Sequence, residues 1–219
     1  MKKKGFDGIY NRYIKRLLGA AITAPAIIIL APVYLVVSLA ILLEDGWPIF
    51  YRAERGGYKG RPFRICKFRS MVKNADKIGG GTTALHDSRI TKVGSFLRKT
   101  KLDEIPQIFQ VFIGKMSLIG PRPELKKYVS QYAGEELDIL EVRPGISDYS
   151  SVEFINLDEI VGNDNADEMY EKYVLKKKNQ LRIKYAHEVS FKTDVYILFK
   201  TLTAVFGKAF EFIVKKKHR

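Results

Sequence analysis

Two adjacent carboxylates, Asp103 and Glu104, are the side chains in this chain that are most clearly suited to chemistry. Pro106 follows them, and a proline is tolerated in the first turn of a helix, where its missing N–H costs nothing. The apolar residues around it recur at helical spacing and predict a helix with one buried face: Ile105, Ile108, Phe109 and Phe112. We therefore expect the carboxylates in or just before a first helical turn, where free backbone N–H groups favour negative charge.

Acidic residues near a helix start also act as ordinary capping and dipole partners, so the pair alone does not define a site. The neighbouring arginines favour a functional interpretation. Arg98 precedes the pair by five residues, and the rigid turn Gly120-Pro121-Arg122-Pro123 follows it. Carboxylates flanked by fixed arginines near a helix start are typical of a site that handles phosphate.

Length and charge limit the classes of protein to consider. With 219 residues, the chain is one domain or one domain with an appendage. Its formal net charge of +14 indicates an anionic partner, such as nucleic acid, anionic lipid or a phosphorylated substrate. The single cysteine, Cys66, excludes an intrachain disulfide, and the sequence has no Cys/His cluster typical of structural zinc.

The N-terminal region contains a membrane candidate, because Leu17–Leu43 is a run of 27 residues without a charge. A cleavable signal peptide is a competing interpretation, but the run is long for an apolar signal core and lacks a convincing cleavage site. A fully buried helix of a soluble protein is a second alternative.

Prolines and flanking charges favour a bent, re-entrant helix over a straight span. Pro25 and Pro32 interrupt the run, and an internal proline removes a backbone hydrogen bond. A straight helix of this length would extend about 40 Å, whereas the two legs on either side of Pro32 would reach only about 22 Å and 18 Å. Both flanks are basic, which favours the cytoplasmic side for both ends. We predict a bend near Pro32 and two cytoplasmic ends.

The remainder predicts an α+β domain that is mostly helical. Ile49–Arg52 and Phe63–Phe68 are β-prone runs around a glycine-rich turn, which predicts a small β-hairpin. From about residue 190 to residue 219, apolar residues at helical spacing alternate with lysines. This pattern suits an amphipathic helix in a membrane interface, and a helix packed on the core would look similar. The predicted division is 1–46, with the basic N-terminus and re-entrant helix, and 47–219, the cytosolic catalytic domain.

Several short motifs follow one another along the chain in a specific order and spacing, from Lys15 to about Thr201. They are Lys15-Arg16, Pro32, Lys67-Phe68-Arg69-Ser70-Met71, Asp87, Arg89, Gly94, Arg98, Asp103-Glu104-x-Pro106-Gln107, Gly114-x-Met116-Ser117, Gly120-Pro121-Arg122-Pro123 and Arg143-Pro144-Gly145. In these motifs the chain resembles the bacterial sugar transferase family, the small monotopic phosphoglycosyl transferases.

The resemblance implies transfer of a phospho-sugar from a nucleotide-sugar, usually a UDP-sugar, to a polyprenol phosphate such as undecaprenyl phosphate. The products would be polyprenol diphosphosugar and UMP, in the first membrane step of glycan assembly. It implies that Asp103 is the nucleophile of a covalent aspartyl intermediate and that Glu104 is associated with Mg²⁺. It also implies a monotopic protein of the bacterial inner membrane, with the catalytic domain on the cytoplasmic face.

A carboxylate that attacks a diphosphate needs cations to neutralise the phosphate oxygens. The candidates for phosphate or substrate binding are Lys67, Arg98, Pro121, Arg122 and Arg143. Each charged member could instead form a structural ion pair. The expected partners are the UDP-sugar, the polyprenol phosphate and membrane lipids, with no nucleic acid beyond the nucleotide-sugar. The sequence leaves the oligomeric state open, with a homodimer as one option.

The chain departs from the family pattern at three places. Ala31 stands where many members have a serine before the hairpin proline, and Gly19 stands where many have an aspartate. Many members continue after Ile146 with Ser/Thr-Gly and a later Gln-Val, whereas this chain has the segment Asp148–Phe154. If that segment lines the sugar pocket, the sugar can differ from the commonest ones.

Three other functions remain as alternatives at the level of sequence. A membrane-tethered nucleic-acid binder would explain the basic charge but not the acidic pair, and no recognition fold is evident. A membrane scaffold would show no magnesium-dependent turnover. A membrane phosphatase with the same carboxylate would release phosphate or sugar phosphate to water.

Overall fold

The computed structural model describes residues 4–217 of the chain, with side chains up to residue 208 and at residue 210. Eleven α-helices and four short strands make up this part of the protein. The helices are α1 (Lys15–Ile29), α2 (Ala31–Asp45), α3 (Ala75–Ile78), α4 (Lys92–Thr100), α5 (Gln107–Phe112), α6 (Lys126–Val129), α7 (Tyr149–Glu153), α8 (Leu157–Val161), α9 (Ala166–Met169), α10 (Lys176–Glu188) and α11 (Phe191–Lys217). The strands are β1 (Phe50–Arg55), β2 (Phe63–Phe68), β3 (Ser117–Ile119) and β4 (Gly145–Ser147). The predicted α+β, mostly helical class is confirmed.

The uncharged N-terminal run forms a bent pair of helices. The segment Tyr10–Ile29 and helix α2 meet at an angle of 61°. The break lies at Leu30, and Pro32 occupies the first turn of α2, where it leaves no unsatisfied donor. Pro25 lies inside α1 without ending it. The predicted bend near Pro32 is therefore confirmed.

Among residues 4–217, no single helix is both long and apolar enough to cross a bilayer, but the bent pair meets these criteria together. Large apolar side chains on both legs are exposed, including Ile28 and Ile29 at 76% and 74%. Because these side chains are exposed, the two helices are not buried in the core of a globular domain along their whole length. Only its inner faces pack, with Val37 and Ile41 buried against Phe68 of β2 and Leu97 of α4.

The strands form two separate sheets. β1 and β2 pair as an antiparallel hairpin, with Phe50 opposite Phe68 and Arg55 opposite Phe63. This confirms the predicted hairpin and extends its first strand. β3 and β4 form a short parallel pair that the sequence did not predict. Their junction is close-packed, because a Cβ on Gly145 would lie only 2.1 Å from the backbone nitrogen of Gly120. Only glycine fits there.

The C-terminal amphipathic helix is present as α11, and residues 218–219 lie outside the described part. Its first turns pack on the domain through Ile197, which is buried with Tyr185 of α10 and Ile119 of β3. Many of its other apolar residues are exposed: Phe191, Tyr196, Leu198, Phe199, Leu202, Phe206 and Phe210. The helix therefore docks by one stripe and presents a second apolar surface.

The predicted buried face of α5 is wrong. The buried side chains of this helix are Gln107, Gln110 and Val111, while Phe109 and Phe112 are each 44% exposed. The inward face is polar because Gln110 bridges to the hairpin, accepting from the Cys66 backbone N–H and donating to the Arg64 carbonyl. The aromatic face points outward instead.

Candidate active site

Two secondary-structure ends place the acidic pair. Helix α4 ends at Thr100, and Lys101 reverses the chain in the left-handed conformation, with φ of 59°. A single 3₁₀ turn, Leu102–Glu104, carries both carboxylates, and α5 starts after Pro106. The pair therefore lies just before a helix start, as the proline spacing predicted. Asp103 is only 5% exposed.

Cations from two distant segments hold Glu104. Lys67 of β2 donates to its Oε1 over 2.9 Å. The Arg122 guanidinium donates to both carboxylate oxygens, with Nη1 lying 2.8 Å from Oε2. Arg122 also donates to the Ile146 carbonyl over 2.8 Å. The pairing of guanidinium and carboxylate is bidentate, the strongest form of such a contact.

Asp103 differs from Glu104 in its bonding. Its Oδ1 is buried and has no hydrogen-bond partner among the described protein atoms. The cations that act on it electrostatically are Lys67, Arg98 and Lys101. Asp103 thus has an uncommitted carboxylate oxygen in a basic environment, which suits a nucleophile more than a structural ion pair.

The environment shifts the pKa values of the two carboxyls in opposite directions. Burial raises the pKa of Asp103, and the nearby Lys67 opposes that shift only in part. Burial also acts to raise the pKa of Glu104, but Arg122 and Lys67 outweigh it and hold that pKa well below 4.5. Neighbouring acids with separated pKa values are typical of sites where each acid has its own role.

The other predicted binding residues make their described contacts with residues outside the acidic pair. Arg98 on α4 donates from Nη2 to the Thr83 hydroxyl over 2.8 Å. Pro121 is buried, and its carbonyl accepts from the Gly145 backbone N–H over 3.1 Å. Arg143 stacks on the Tyr58 ring, 4.9 Å from its centroid. The structure therefore assembles Lys67, Arg98 and Arg122 around the carboxylates, whereas the described contact of Arg143 is with Tyr58.

Comparison with known proteins identifies the class to which this arrangement belongs. A family model described as bacterial sugar transferase matches residues 10–208 of the chain. The chain belongs to the bacterial sugar transferase family. The resemblance drawn from its motifs is thereby confirmed.

Several curated proteins are similar to this sugar transferase. It is 35% identical over 202 residues to the UDP-N-acetylgalactosamine-undecaprenyl-phosphate N-acetylgalactosaminephosphotransferase of Aeromonas hydrophila, covering 88% of this chain and 44% of that protein. It is 33% identical over 200 residues to the UDP-glucose:undecaprenyl-phosphate glucose-1-phosphate transferase of Escherichia coli (strain K12), covering 88% and 40%. It is 32% identical over 216 residues to the exopolysaccharide production protein ExoY of Sinorhizobium fredii, covering 87% and 84%. The chain spans less than half the length of the first two relatives.

Three site residues of this sugar transferase escaped sequence reasoning. Lys101 lies between α4 and the acidic pair, and burial lowers the pKa of its ammonium group. Gln107 is fully buried, and both polar atoms of its amide lack a hydrogen-bond partner among the described protein atoms. Asp148 is fully buried and accepts from the Arg122 backbone N–H over 3.0 Å. Position 107 lies in a family motif and position 148 begins the segment that departs from the family pattern, but neither was assigned a role, and no sequence pattern marks Lys101.

The acidic pair offers the predicted Mg²⁺ only a few protein ligands. Within residues 4–217, no cluster of three or more His, Cys, Asp or Glu side chains forms a ready-made metal site. Mg²⁺ commonly binds through one or two carboxylates together with substrate phosphates and water, and the acidic pair fits that pattern. Both oxygens of Glu104, the predicted ligand, already accept hydrogen bonds from Lys67 and Arg122, so Mg²⁺ would share this carboxylate with those cations.

We expect Lys101→Gly to stabilise the protein and to lower its rate of turnover. A lysine in the left-handed conformation costs about 1–2 kcal/mol, which glycine would recover in part. The thermal midpoint should rise by about 2–4 °C, as measured by thermal unfolding in detergent. Turnover should fall about tenfold, because a cation beside the two carboxylates is lost.

Lys59→Gly is the matched control, since Lys59 is also left-handed, with φ of 54°, but lies exposed at the hairpin turn. It should raise the thermal midpoint without changing turnover. A Lys101→Gly variant with full turnover would exclude Lys101 from the site.

Proposed function

We propose that this protein transfers a phospho-sugar from a UDP-sugar to polyprenol phosphate, with undecaprenyl phosphate as the expected acceptor. The products are polyprenol diphosphosugar and UMP. The observation that carries the proposal is a buried carboxylate with an unpartnered oxygen, Asp103, next to Glu104 and surrounded by cations. The names of the relatives support the substrate classes, since two of them act on a UDP-sugar and undecaprenyl phosphate.

The reaction proceeds by two displacements at one phosphorus atom. In the first, an Asp103 carboxylate oxygen bonds to the phosphorus that carries the sugar, and the bond from that phosphorus to the UMP oxygen breaks. UMP leaves with the electron pair. In the second, a phosphate oxygen of the lipid acceptor bonds to the same phosphorus, and the acyl phosphate bond breaks. Asp103 is regenerated, and the sugar phosphate has become part of a lipid diphosphate.

The remaining residues neutralise charge and fix geometry. A diphosphate repels an attacking carboxylate, so Arg98, Lys67 and Lys101 offset the charge on Asp103 and on the phosphate oxygens. Glu104 stays ionised under the influence of Arg122 and Lys67. It holds those two cations in place, ready for exchange onto phosphate oxygens. Pro121 fixes the backbone of the turn that presents Arg122, and Arg143 is proposed to bind substrate from its position on Tyr58.

Mg²⁺, when bound with Glu104 and the substrate phosphates, would act as a Lewis acid on the diphosphate. The protein groups named above position the substrate around it. Their arrangement also limits access of water to the carboxylate, because Asp103 is 5% exposed.

We place the protein in the bacterial inner membrane as a monotopic enzyme with its catalytic domain on the cytoplasmic face. Residues 1–46 form the basic N-terminus and the re-entrant helix, and residues 47–219 form the catalytic domain. The 61° bend and the exposed apolar side chains of α1 and α2 support this placement. The exposed aromatic residues of α5 and α11 support contact of the domain with the membrane interface.

The placement predicts that both ends of the bent pair are cytoplasmic. In a Cys66→Ser background, Asp7→Cys and Lys59→Cys supply thiols at exposed positions on either side of the pair. Neither thiol should react with an impermeant maleimide in intact spheroplasts, and both should react after lysis. Labelling of Asp7→Cys from outside intact spheroplasts would show that the pair crosses the membrane.

The function is tested by UMP release from a panel of UDP-sugars with purified protein in nanodiscs, polyprenol phosphate and Mg²⁺. Release that requires the lipid acceptor, Mg²⁺ and Asp103 would support the reaction and identify the sugar. Release of phosphate or sugar phosphate into water without lipid product would indicate a phosphatase. If no UDP-sugar in the panel gave UMP release, that result would contradict a UDP-sugar as the donor.

A further inference from the structure

Another buried carboxylate, that of Asp148, contacts Arg122 through the backbone of the arginine. It is fully buried at the end of β4. Its Oδ2 accepts from the Arg122 backbone N–H over 3.0 Å. Its Oδ1 accepts from the Ser151 backbone N–H and the Ser151 hydroxyl, each over 2.7 Å. The Ser150 hydroxyl donates to the same carboxylate. Asp148 is therefore saturated with donors and has no free oxygen for substrate.

The arrangement holds Arg122 at both of its ends. The Asp148 carboxylate fixes the backbone amide, and the Ile146 carbonyl accepts from the guanidinium over 2.8 Å. The parallel strands join the same two segments, since the Gly120 N–H donates to the Ser147 carbonyl over 2.8 Å. With its ends fixed, the guanidinium meets both oxygens of Glu104.

A buried network balances the charge of Asp148. The Arg182 Nε lies 4.0 Å from its Oδ2, and Arg182 is only 2% exposed. Arg182 also pairs with Glu124 over 3.0 Å, so the cation is shared between two carboxylates. A buried carboxylate is tolerated when it is paired and hydrogen-bonded in this way.

We propose that Asp148 is a positioning residue that sets the place of Arg122 over Glu104, and thereby the cation geometry at Asp103. This inference rests on the proposed function and assigns a role to a position where the chain departs from its family's Ser/Thr-Gly pattern. Asp148 acts through Arg122 and does not touch the reacting atoms. The competing explanation is structural, because Asp148 also caps the start of α7.

A double-mutant cycle separates the two explanations. Asp148→Asn should lower kcat/KM for the nucleotide-sugar about 10- to 100-fold, the scale of a lost hydrogen bond to a charged group. In an Arg122→Ala background the same change should have no further effect, since the residue through which it acts is gone. Additive losses would overturn the proposal.

Ser151→Ala is the matched control, because it removes a bond from the α7 cap and leaves the Arg122 bond intact. It should keep kcat/KM within about twofold. A loss equal to that of Asp148→Asn would overturn the proposal in favour of the structural explanation. Asp148→Ser is a second variant in case the asparagine form fails to fold, since serine can still cap the helix. It should reproduce the loss of kcat/KM.

The same cycle is also measured on UDP binding by calorimetry, which requires no turnover. Binding of UDP should weaken in Asp148→Asn and show no further weakening in the double variant. Wild-type protein that binds UDP with this coupling but turns over no UDP-sugar would contradict the proposed function alone. Wild-type protein that does not bind UDP would overturn both.

Discussion

Asp103→Asn should abolish turnover. Asparagine keeps the shape of the side chain but cannot form an acyl phosphate, so the first displacement has no nucleophile. Loss of a nucleophile commonly lowers kcat by roughly 10⁴-fold or more, and we expect a loss on that scale. The side chain is 5% exposed and its Oδ1 has no hydrogen-bond partner among the described protein atoms, so an amide should be accommodated without unfolding the domain.

The measurement is retention of label from a UDP-sugar whose sugar-bearing phosphate is radioactive, with no lipid acceptor present. Wild-type protein should become labelled and lose the label when polyprenol phosphate is added. Asp103→Asn should not become labelled. Asp76→Asn, an exposed aspartate, is the control and should behave as wild type. Label retained by Asp103→Asn would exclude Asp103 as the nucleophile.

The pH dependence of the first step follows from the same residue. Burial raises the pKa of Asp103, and the attacking form is the anion. Turnover should therefore fall as the pH drops through that raised pKa, at a pH above the ordinary range of an aspartate. Protonation of Glu104 should not contribute to this fall in turnover, since Arg122 and Lys67 hold its pKa well below 4.5.

Arg122→Met should have the second-largest effect, on stability as well as activity. It leaves Glu104, whose side chain is 12% exposed, with Lys67 as its remaining ion-pair partner in the described structure. Breaking a buried pair costs about 3–5 kcal/mol, and the 25% exposure of Arg122 reduces our expectation to about 2 kcal/mol. We expect kcat/KM to fall about 10²- to 10³-fold, as when a preorganised charge is lost.

Two further variants test the reason for that loss. Arg122→Lys keeps the charge but loses the bidentate fork, so its activity should lie between those of wild type and Arg122→Met. The double variant Glu104→Gln/Arg122→Met removes the buried charge that has lost its bidentate partner and should recover part of the stability, measured by chemical unfolding in detergent, but none of the activity. Recovery of activity in the double variant would reduce Arg122 to a structural partner of Glu104.

Local patterns predicted those parts of the protein that depend on local physics. The bend at Pro32 follows from a missing backbone donor. The hairpin follows from two β-prone runs around a glycine-rich turn. The position of the acidic pair follows from Pro106, which fixes where a helix can start. None of these three predictions required knowledge of the tertiary contacts.

Tertiary contacts decided what the sequence could not predict. Periodicity correctly placed a helix at α5 but assigned the wrong face, because Gln110 is used inside to bridge the hairpin while Phe109 lies outside. The rule that apolar residues face inward assumes water outside, and the proposed contact with the membrane would remove that assumption for Phe109 and Phe112. The departure from the family pattern marked the segment that begins at Asp148, but the contact of Asp148 with Arg122, 26 residues away in the chain, could not be predicted.

The short helix α5 also limits the distance between the acidic pair and the proposed membrane surface. At about 1.5 Å of rise per residue, the nine steps from Asp103 to the exposed Phe112 span about 14 Å. This is within about two Debye lengths of about 8 Å at physiological salt, so the surface potential of the proposed membrane would still act, in weakened form, at the site. The nucleotide-sugar is an anion. Its concentration at Asp103 would then depend on the lipid composition of the leaflet as well as on its concentration in the cytosol.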